Sequence, residues 1–320
     1  MDRSQDQTDG RKGVMAVNYS PELFKSVAKD IESAEAIVRP SVTYWQDAWR
    51  RLKKNKMAMV GLWTIVAMIL LAIFGPMVSP YSYSDQDLAR QNEFWSREHW
   101  LGTDDLGRDL LTRILYGARI SLTVGFMASF INLTVGVVYG GVSGYYGGQV
   151  DNVMMRIVEI LSAIPMLLYV ILLMVILKPG LQNILIALGL VYWLSMARIV
   201  RGQVLSLKEQ DFVLAARTIG ASDWRIILKH LVPNAMGPII VTATLNIPQA
   251  IFTEAFLSFI GLGVNAPMAS WGALASDALQ MFRTYPWQLF FPAIAISITM
   301  FAFNFLGDGL RDALDPKQRK

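Results

Sequence analysis

Six tracts of the sequence are nearly free of charge, and they predict an all-α integral membrane protein with six transmembrane helices. Of the 320 residues, 53% are apolar and only 17% are charged, whereas charged residues make up about 25% of a soluble domain. A helix needs about 20 mainly apolar residues to cross the hydrocarbon core of a bilayer. The six predicted spans cover residues 57–78, 120–142, 157–177, 181–200, 236–262 and 284–307.

Three of these spans have features that need an explanation. The third contains Glu159 and the fifth contains Glu254, and a charge in the middle of a membrane helix costs about 2.5–3.5 kcal/mol on insertion scales. Glu159 can form an ion pair with Arg156, three residues earlier, and we favour that structural role. Glu254 has no basic residue near it in sequence, so it either lines a substrate path or has a structural role. The fourth span is short, and its charge-free part, Leu181–Ala197, also fits a buried helix.

The distribution of basic residues sets the predicted orientation. Five basic residues between Arg50 and Lys56 come directly before the first span, and the positive-inside rule places that end in the cytoplasm. Six spans then return the C-terminus to the same side. The connection Arg198–Asn234 also falls inside, with six Lys or Arg against three acids. The first outer loop, residues 79–119, is the exception among the outer connections, because it holds five Arg and seven acids.

The segment before the first span predicts two short helices. Residues 1–19 are expected to be disordered, and the apolar spacing that follows predicts a helix over residues 20–39. In residues 41–56, Tyr44, Trp45, Trp49 and Leu52 are predicted to share a face with basic residues around them, which suits a helix in the lipid headgroup layer. The first 56 residues are too long and polar for the start of a cleavable signal peptide.

Glycine recurs every fourth residue at the end of the second span, at positions 136, 140, 144 and 148. This spacing puts the glycines on one face of a helix, where the missing side chains let another helix approach closely in lipid. We therefore predict a helix-packing role for them. The residues that follow, from Ser143 to Asn152, are predicted to form the inner turn into the third span.

Two short motifs resemble functional sequences but lack their chemistry. Gly102–Asp109, GTDDLGRD, has the glycine spacing of a P-loop, yet Arg-Asp stands where Lys-Ser or Lys-Thr would bind phosphate and Mg²⁺. Gly141–Gly144, GVSG, resembles the nucleophile motif of intramembrane serine proteases. A serine needs a base within reach, and both histidines, His99 and His230, lie outside the spans. The sequence has no cysteine, so neither disulfides nor thiolate metal sites are expected. An enzyme is not predicted, because no span holds a nucleophile–base pair or a metal cluster.

The loop between spans four and five is patterned as an ordered hairpin of two helices. Its first helix is predicted over Leu207–Ile219. Gly220 is placed to end this helix in the left-handed conformation. Ala215 and Ala216 are small, so another protein surface can approach the first helix closely.

The second helix of the hairpin has a stronger apolar pattern. Ser222 is predicted to cap it, with Asp223 in its first turn, and Pro233 is predicted to end it because proline has no N–H to donate. Arg225 and Lys229 form a basic edge. A single apolar stripe at helical spacing is predicted from Trp224, Ile227, Leu228 and Leu231.

The hairpin resembles the EAA loop of ABC importer permeases, whose pattern is EAA, three residues, Gly, nine residues and I-x-L-P. The chain matches this pattern at Ala215, Ala216, Gly220 and Pro233, and it departs from it at Leu214, His230 and Val232. Two longer segments are similar to the C-type permease of dipeptide and oligopeptide importers, and with the hairpin the resemblance covers nearly the whole chain from about residue 43. These segments are Gly102–Leu122 and Glu254–Val264, the latter with Ser270–Gly272.

The resemblance implies a type I ABC importer permease fold with both termini in the cytoplasm of a bacterial cell. It implies a cytoplasmic segment 1–56, a first helix 57–78, an external loop 79–119, a permease core 120–310 with a coupling loop 205–234, and a tail 311–320. The second hairpin helix would be a coupling helix that docks on an ATPase. The residues assigned to this coupling are Ala215, Ala216, Gly220, Ser222, Asp223, Trp224, Arg225, Ile227, Leu228 and Pro233.

The resemblance also implies the partners. They are a homologous B-type permease, two cytoplasmic ATPases, an extracytoplasmic peptide-binding protein and membrane lipid, with no nucleic acid. The chain itself would be non-catalytic and bind no cofactor, since ATP and Mg²⁺ are used by the ATPases. Dipeptides or oligopeptides are the expected cargo, and nickel complexes, opines or glutathione-like peptides are the alternatives. The alternative class is a stand-alone secondary transporter. Such transporters often contain internal repeats, and the absence of a repeat in this sequence argues against that class.

Overall fold

The computed structural model describes residues 43–264 and 266–315, and every regular element in these ranges is helical. The disorder predicted for residues 1–19 and the helix predicted over residues 20–39 lie outside the described residues. The helices, in chain order, are α1 (Tyr44–Lys54), α2 (Lys56–Val78), α3 (Leu110–Tyr146), α4 (Gly148–Ala163), α5 (Met166–Leu177), α6 (Leu181–Leu207), α7 (Asp211–Thr218), α8 (Asp223–Ile226), α9 (Val232–Asn234), α10 (Met236–Phe259), α11 (Trp271–Leu279) and α12 (Trp287–Leu314).

Five of the described helices are long and apolar enough to cross a membrane: α2, α3, α6, α10 and α12. The pair α4 and α5 gives a sixth span if the two are taken together. The predicted number of spans is therefore confirmed. For reference, we call the end of the bundle that carries α7 and α8 the hairpin end, and the end that carries residues 79–109 the opposite end.

The third span is not the single straight helix that the sequence predicts over residues 157–177. It begins at Gly148 and bends by 81° between α4 and α5. Pro165 causes the break, because its ring disfavours the helical conformation in the residue before it. Ile164 is accordingly extended, with φ −82° and ψ 128°. Hydropathy alone does not reveal this bend, since both halves of the tract are apolar.

The second span is longer than predicted, because α3 begins at Leu110 rather than near residue 120. Asp109 caps it, its carboxylate accepting a hydrogen bond from the backbone N–H of Thr112 at 2.8 Å. Arg113 lies inside the helix and is buried against Asp104. The predicted start of this span, placed just after its last charged residue, is wrong because Arg113 lies inside the helix and is paired with Asp104 within the protein.

Residues 79–109 are held against the helix bundle by buried polar contacts. Asp104 accepts hydrogen bonds from two backbone N–H groups, from Arg108 Nε at 2.7 Å and from Arg113. His99 Nδ1 lies 2.9 Å from Asp109 Oδ1. Gln288 at the start of α12 donates to the carbonyl of Thr103 at 2.9 Å. These contacts order a segment that has almost no helix of its own.

The close packing of α3 against α6 depends on glycine. A side chain at Gly140 would collide with the backbone carbonyl of Ala197, and one at Gly144 would lie 2.9 Å from the carbonyl of Arg201. Gly136 faces Met196 in the same way. The predicted packing role is confirmed for these three glycines. It is wrong for Gly148, which has no heavy atom near its missing side chain because α3 has already ended.

The first described helix, α1, is amphipathic, but the four residues predicted to share one face, Tyr44, Trp45, Trp49 and Leu52, are divided between two sides. Ala48 and Leu52 are buried, and Leu52 packs beside Ala58 and Ala313. Trp45 and Trp49 are exposed on the other side. The helix thus holds two indole rings at the surface next to the start of the first span, as expected for a position at a membrane interface.

Candidate functional site

The first helix of the hairpin is shorter than predicted. The chain leaves α6 at Leu207, turns, and forms α7 over Asp211–Thr218. Gly220 follows with φ +79°, a left-handed conformation that side chains disfavour. The N–H of Ala221 bonds to the carbonyl of Ala216 at 3.0 Å. The predicted glycine break is confirmed. A Cβ atom at Gly220 would have no neighbour within 4 Å, so the backbone angle alone requires glycine.

The second helix of the hairpin departs from the prediction at both ends. Ser222 occupies the capping position, but its side chain makes no capping hydrogen bond. Pro233 does not end the element, since Val232–Asn234 is helical. A π-helical turn over Ile227–Leu231 comes first, in which the N–H of Val232 bonds to the carbonyl of Ile227. Proline is accommodated at the start of the next helix, where an N–H is not required.

The predicted apolar stripe is split between two surfaces. Ile227 and Leu231 are fully buried against the inner parts of α3 and α6. Trp224 and Leu228 are 53% and 49% exposed. The single-stripe prediction is therefore wrong, because Ile226 and the widened π turn direct one half of the pattern into the protein's own helix bundle. On this short segment, Ile227 and Leu231 anchor the hairpin to the bundle, while Trp224 and Leu228 remain exposed.

Two exposed apolar residues on the hairpin were missed by the sequence analysis. Leu214 is 63% exposed and Ile219 is 85% exposed. Val213 and Ala216 of α7 are buried, so Leu214 marks the outward face of that helix, and Ile219 follows directly after its end. A helical-wheel comparison of α7 would have found Leu214. Arg225 and Lys229 are also exposed on the second helix.

Polar contacts join the hairpin to the end of α3. The hydroxyl of Tyr145 donates to Asp223 Oδ1 at 2.7 Å, and the hydroxyl of Tyr146 donates to Asp223 Oδ2 at 3.1 Å. The guanidinium of Arg217 lies 5.2 Å from the centre of the Tyr145 ring, a cation–π distance. Tyr145 therefore contacts both helices of the hairpin. Sequence patterns could not reveal these contacts, because the partners are more than 70 positions apart.

Glu254 lies far from the hairpin, in the interior of the bundle. It is fully buried, and its carboxylate accepts hydrogen bonds from Ser121 at 2.9 Å and Ser258 at 2.8 Å. Ser270, which caps α11, bonds in turn to Ser258 at 3.3 Å. The contacts join α3, α10 and α11, which fits the structural role. The alternative, in which Glu254 lines an open path, finds no support because the side chain has no exposed surface.

Glu159 forms the predicted ion pair with Arg156, at 2.9 Å. Both side chains are nevertheless largely exposed. They line a groove of about 700 Å³ together with Arg198 and Arg201 of α6. The pair is a surface pair beside a polar groove, and such pairs contribute little to stability.

Comparison with known proteins decides the family. Residues 136–320 match the family described as binding-protein-dependent transport system inner membrane component. Residues 43–94 match the N-terminal TM domain of oligopeptide transport permease C. The chain belongs to this family of ABC importer permeases. The resemblance found in the sequence is thereby confirmed, and the permease is a component of a bacterial inner membrane.

Relatives of the permease match it over almost their whole length. The dipeptide transport system permease protein DppC of Bacillus subtilis is 54% identical over 98% of this chain and 98% of its own. The oligopeptide transport system permease protein OppC of Escherichia coli K12 is 48% identical over 93% of this chain and 99% of its own. An inward-facing structure of the MetNI methionine ABC transporter is similar in fold, with a TM-score of 0.53, 20% identity, and coverage of 63% of this chain and 96% of that one.

Proposed function

We propose that this permease imports dipeptides or oligopeptides, and that two cytoplasmic ATPases power it through the hairpin. The relatives at 46–55% identity named as dipeptide or oligopeptide permeases support the cargo. The family supports ATPases as partners in general terms. The hairpin, in the position of the EAA loop, is where the ATPases would bind.

The exposure of Trp224 and Leu228 beside the buried Ile227 and Leu231 is the observation that carries the proposal. Tryptophan is among the residues most enriched at interface hot spots, where its side chain is buried in a pocket of the partner. Exposed apolar side chains on a loop that carries several charges cannot enter lipid. They therefore need a protein surface to cover them.

The permease does no chemistry of its own in this scheme. ATP and Mg²⁺ bind to the partner ATPases, and the permease converts their closure into movement of its helices. A second, homologous permease completes the path, and an extracytoplasmic peptide-binding protein delivers the cargo. In the bundle, Glu254 holds α3, α10 and α11 together rather than contacting the peptide.

The experiment is to purify the permease with its ATPases and partner permease after changing Trp224 to Ala. We expect the ATPases to be lost, since truncating a hot spot costs about 2 kcal/mol or more, or about thirtyfold in affinity. Trp100→Ala is the matched control, because Trp100 is also exposed but lies at the opposite end. Full co-purification of the ATPases with Trp224→Ala, with peptide uptake intact, would refute the assignment of the hairpin.

A further inference from the structure

The end of α3 carries a cluster of polar side chains that the coupling scheme above does not use. Tyr145 is buried, and it contacts Asp223 through its hydroxyl and Arg217 through its ring. Tyr146 donates to the second oxygen of the same carboxylate. The two tyrosine rings also meet edge to face, 5.3 Å apart. One carboxylate of the hairpin is thus held by two neighbouring residues of a transmembrane helix.

A second polar group lies two residues earlier on α3. Ser143, fully buried, donates to Asp151 Oδ1 at 2.5 Å. Arg201 donates to both oxygens of Asp151, from Nε and from Nη2, at 2.5 Å each. Asp151 belongs to α4 and Arg201 to α6, so one buried carboxylate ties three helices together at the hairpin end. Bidentate arginine pairs of this kind fix geometry as well as charge.

Next to the two polar groups, the hairpin packs directly on α3. A side chain at Gly141 would lie 3.2 Å from Cγ2 of Ile227. Ile226, Ile227 and Leu231 belong to the same buried cluster as Val137 of α3 and Val204 of α6. Apolar packing is not directional and allows sliding. Two hydrogen bonds to one carboxylate set an orientation, because each has a preferred distance and angle.

We propose that Tyr145, Tyr146 and Asp223 form a latch that makes the hairpin and the end of α3 move as one body. The Ser143–Asp151–Arg201 bridge passes the movement to α4 and α6. The latch residues are positioning residues, and this inference rests on the proposed coupling function. Energetic coupling needs a physical connection that the input can bias, and the latch is the directional part of that connection.

The first test changes both tyrosines to phenylalanine, Tyr145→Phe with Tyr146→Phe. The rings and their packing stay, while both hydrogen bonds to Asp223 are lost. We expect the ATPases to co-purify in full, and the peptide taken up per ATP hydrolysed to fall about threefold to tenfold, as the loss of a typical solvent-accessible hydrogen bond suggests. Tyr116→Phe is the control, since Tyr116 stacks on Tyr83 at the opposite end of the same helix. Unchanged uptake per ATP in the double variant would overturn the latch.

The second test follows the movement itself. The chain has no cysteine. In an importer whose other subunits also lack cysteine, spin labels on Thr218→Cys in the hairpin and Gln149→Cys at the start of α4, both exposed, report one distance across the latch and the Ser143–Asp151–Arg201 bridge. In the assembled importer we expect that distance to be narrow and equal with and without ATP. It should broaden when both tyrosines are phenylalanine. A distance that changes with ATP in the protein with native tyrosines would show that the hairpin moves independently, and would overturn the proposal.

A double-mutant cycle separates the latch from general damage to the hairpin. Asp223→Ala and the tyrosine pair should together reduce uptake per ATP no more than either change alone, because both remove the same contacts. Fully additive losses would reject the latch. Failure of the proposed function is distinguishable, because the permease with native residues would then not bind the ATPases at all.

Discussion

Asp104 and Asp277 lie in the same cluster of charges at the opposite end, but they have different environments. The Asp104 side chain is only 7% exposed and contacts Arg108 and Arg113, which are also buried. The Asp277 side chain is 51% exposed, and its oxygens lie 3.5 Å from Arg113 and 3.9 Å from Arg108. Burial raises the pKa of Asp277 despite the attraction of the two arginines. At the residue scale, Asp104 is the structural acid and Asp277 is peripheral.

We expect Asp104→Asn to destabilise the permease by about 3 kcal/mol, since removing one partner of a buried pair leaves a buried charge uncompensated. Asp277→Asn should change the stability by less than about 1 kcal/mol at neutral pH. Because the folded pKa of Asp277 is raised, its stabilising contribution is present at low pH and lost as the pH rises through that pKa. The native protein should therefore gain stability relative to Asp277→Asn on acidification. Thermal unfolding of both variants across pH checks this, and equal losses at neutral pH would contradict it.

At the scale of elements, the sequence predicted the number of spans, the glycine break in the hairpin and the glycine face of α3. Each of these depends on composition or on one local backbone preference. The bend at Pro165 is also a local preference, which the apolar character of both halves concealed. The π turn over Ile227–Leu231 and the buried start of α3 could not be read in this way. They depend on contacts distant in sequence, such as that of Asp104 with Arg113, which hide charge inside the protein or pull one side of a helix into the bundle.

The α3–α6 contact gives a prediction at the element scale. Gly140→Ala should destabilise the permease by about 1–3 kcal/mol, because the added methyl group overlaps the carbonyl of Ala197 and overpacking has this cost. Gly202→Ala is the control on α6. Gly202 is exposed and has open space beside it, and alanine favours helix by about 0.5–1 kcal/mol. If Gly140→Ala unfolds at the same temperature as Gly202→Ala, the close approach of the two helices is not needed.

The whole molecule has two ends that are built differently. The opposite end is held by buried charges and by Gln288, which ties the start of α12 to the 79–109 segment. The hairpin end combines a buried apolar cluster with a few directional polar contacts, and it leaves Trp224, Leu228, Leu214 and Ile219 exposed. An importer driven from one side needs such a difference, and under the proposed function the anchored, exposed surface is where the ATPases would bind.

The measurement that tests this account most directly is the reactivity of a cysteine at Leu228. In Leu228→Cys, paired with a partner permease whose own cysteines have been replaced, a water-soluble maleimide should modify the one thiol of this chain quickly, since position 228 is half-exposed. The same thiol should react slowly once the ATPases are bound. Leu88→Cys is the control, because Leu88 is exposed in the 79–109 segment and should react at one rate in both states. Equal reactivity of Leu228→Cys with and without bound ATPases would contradict the claim that the hairpin is the point of power input.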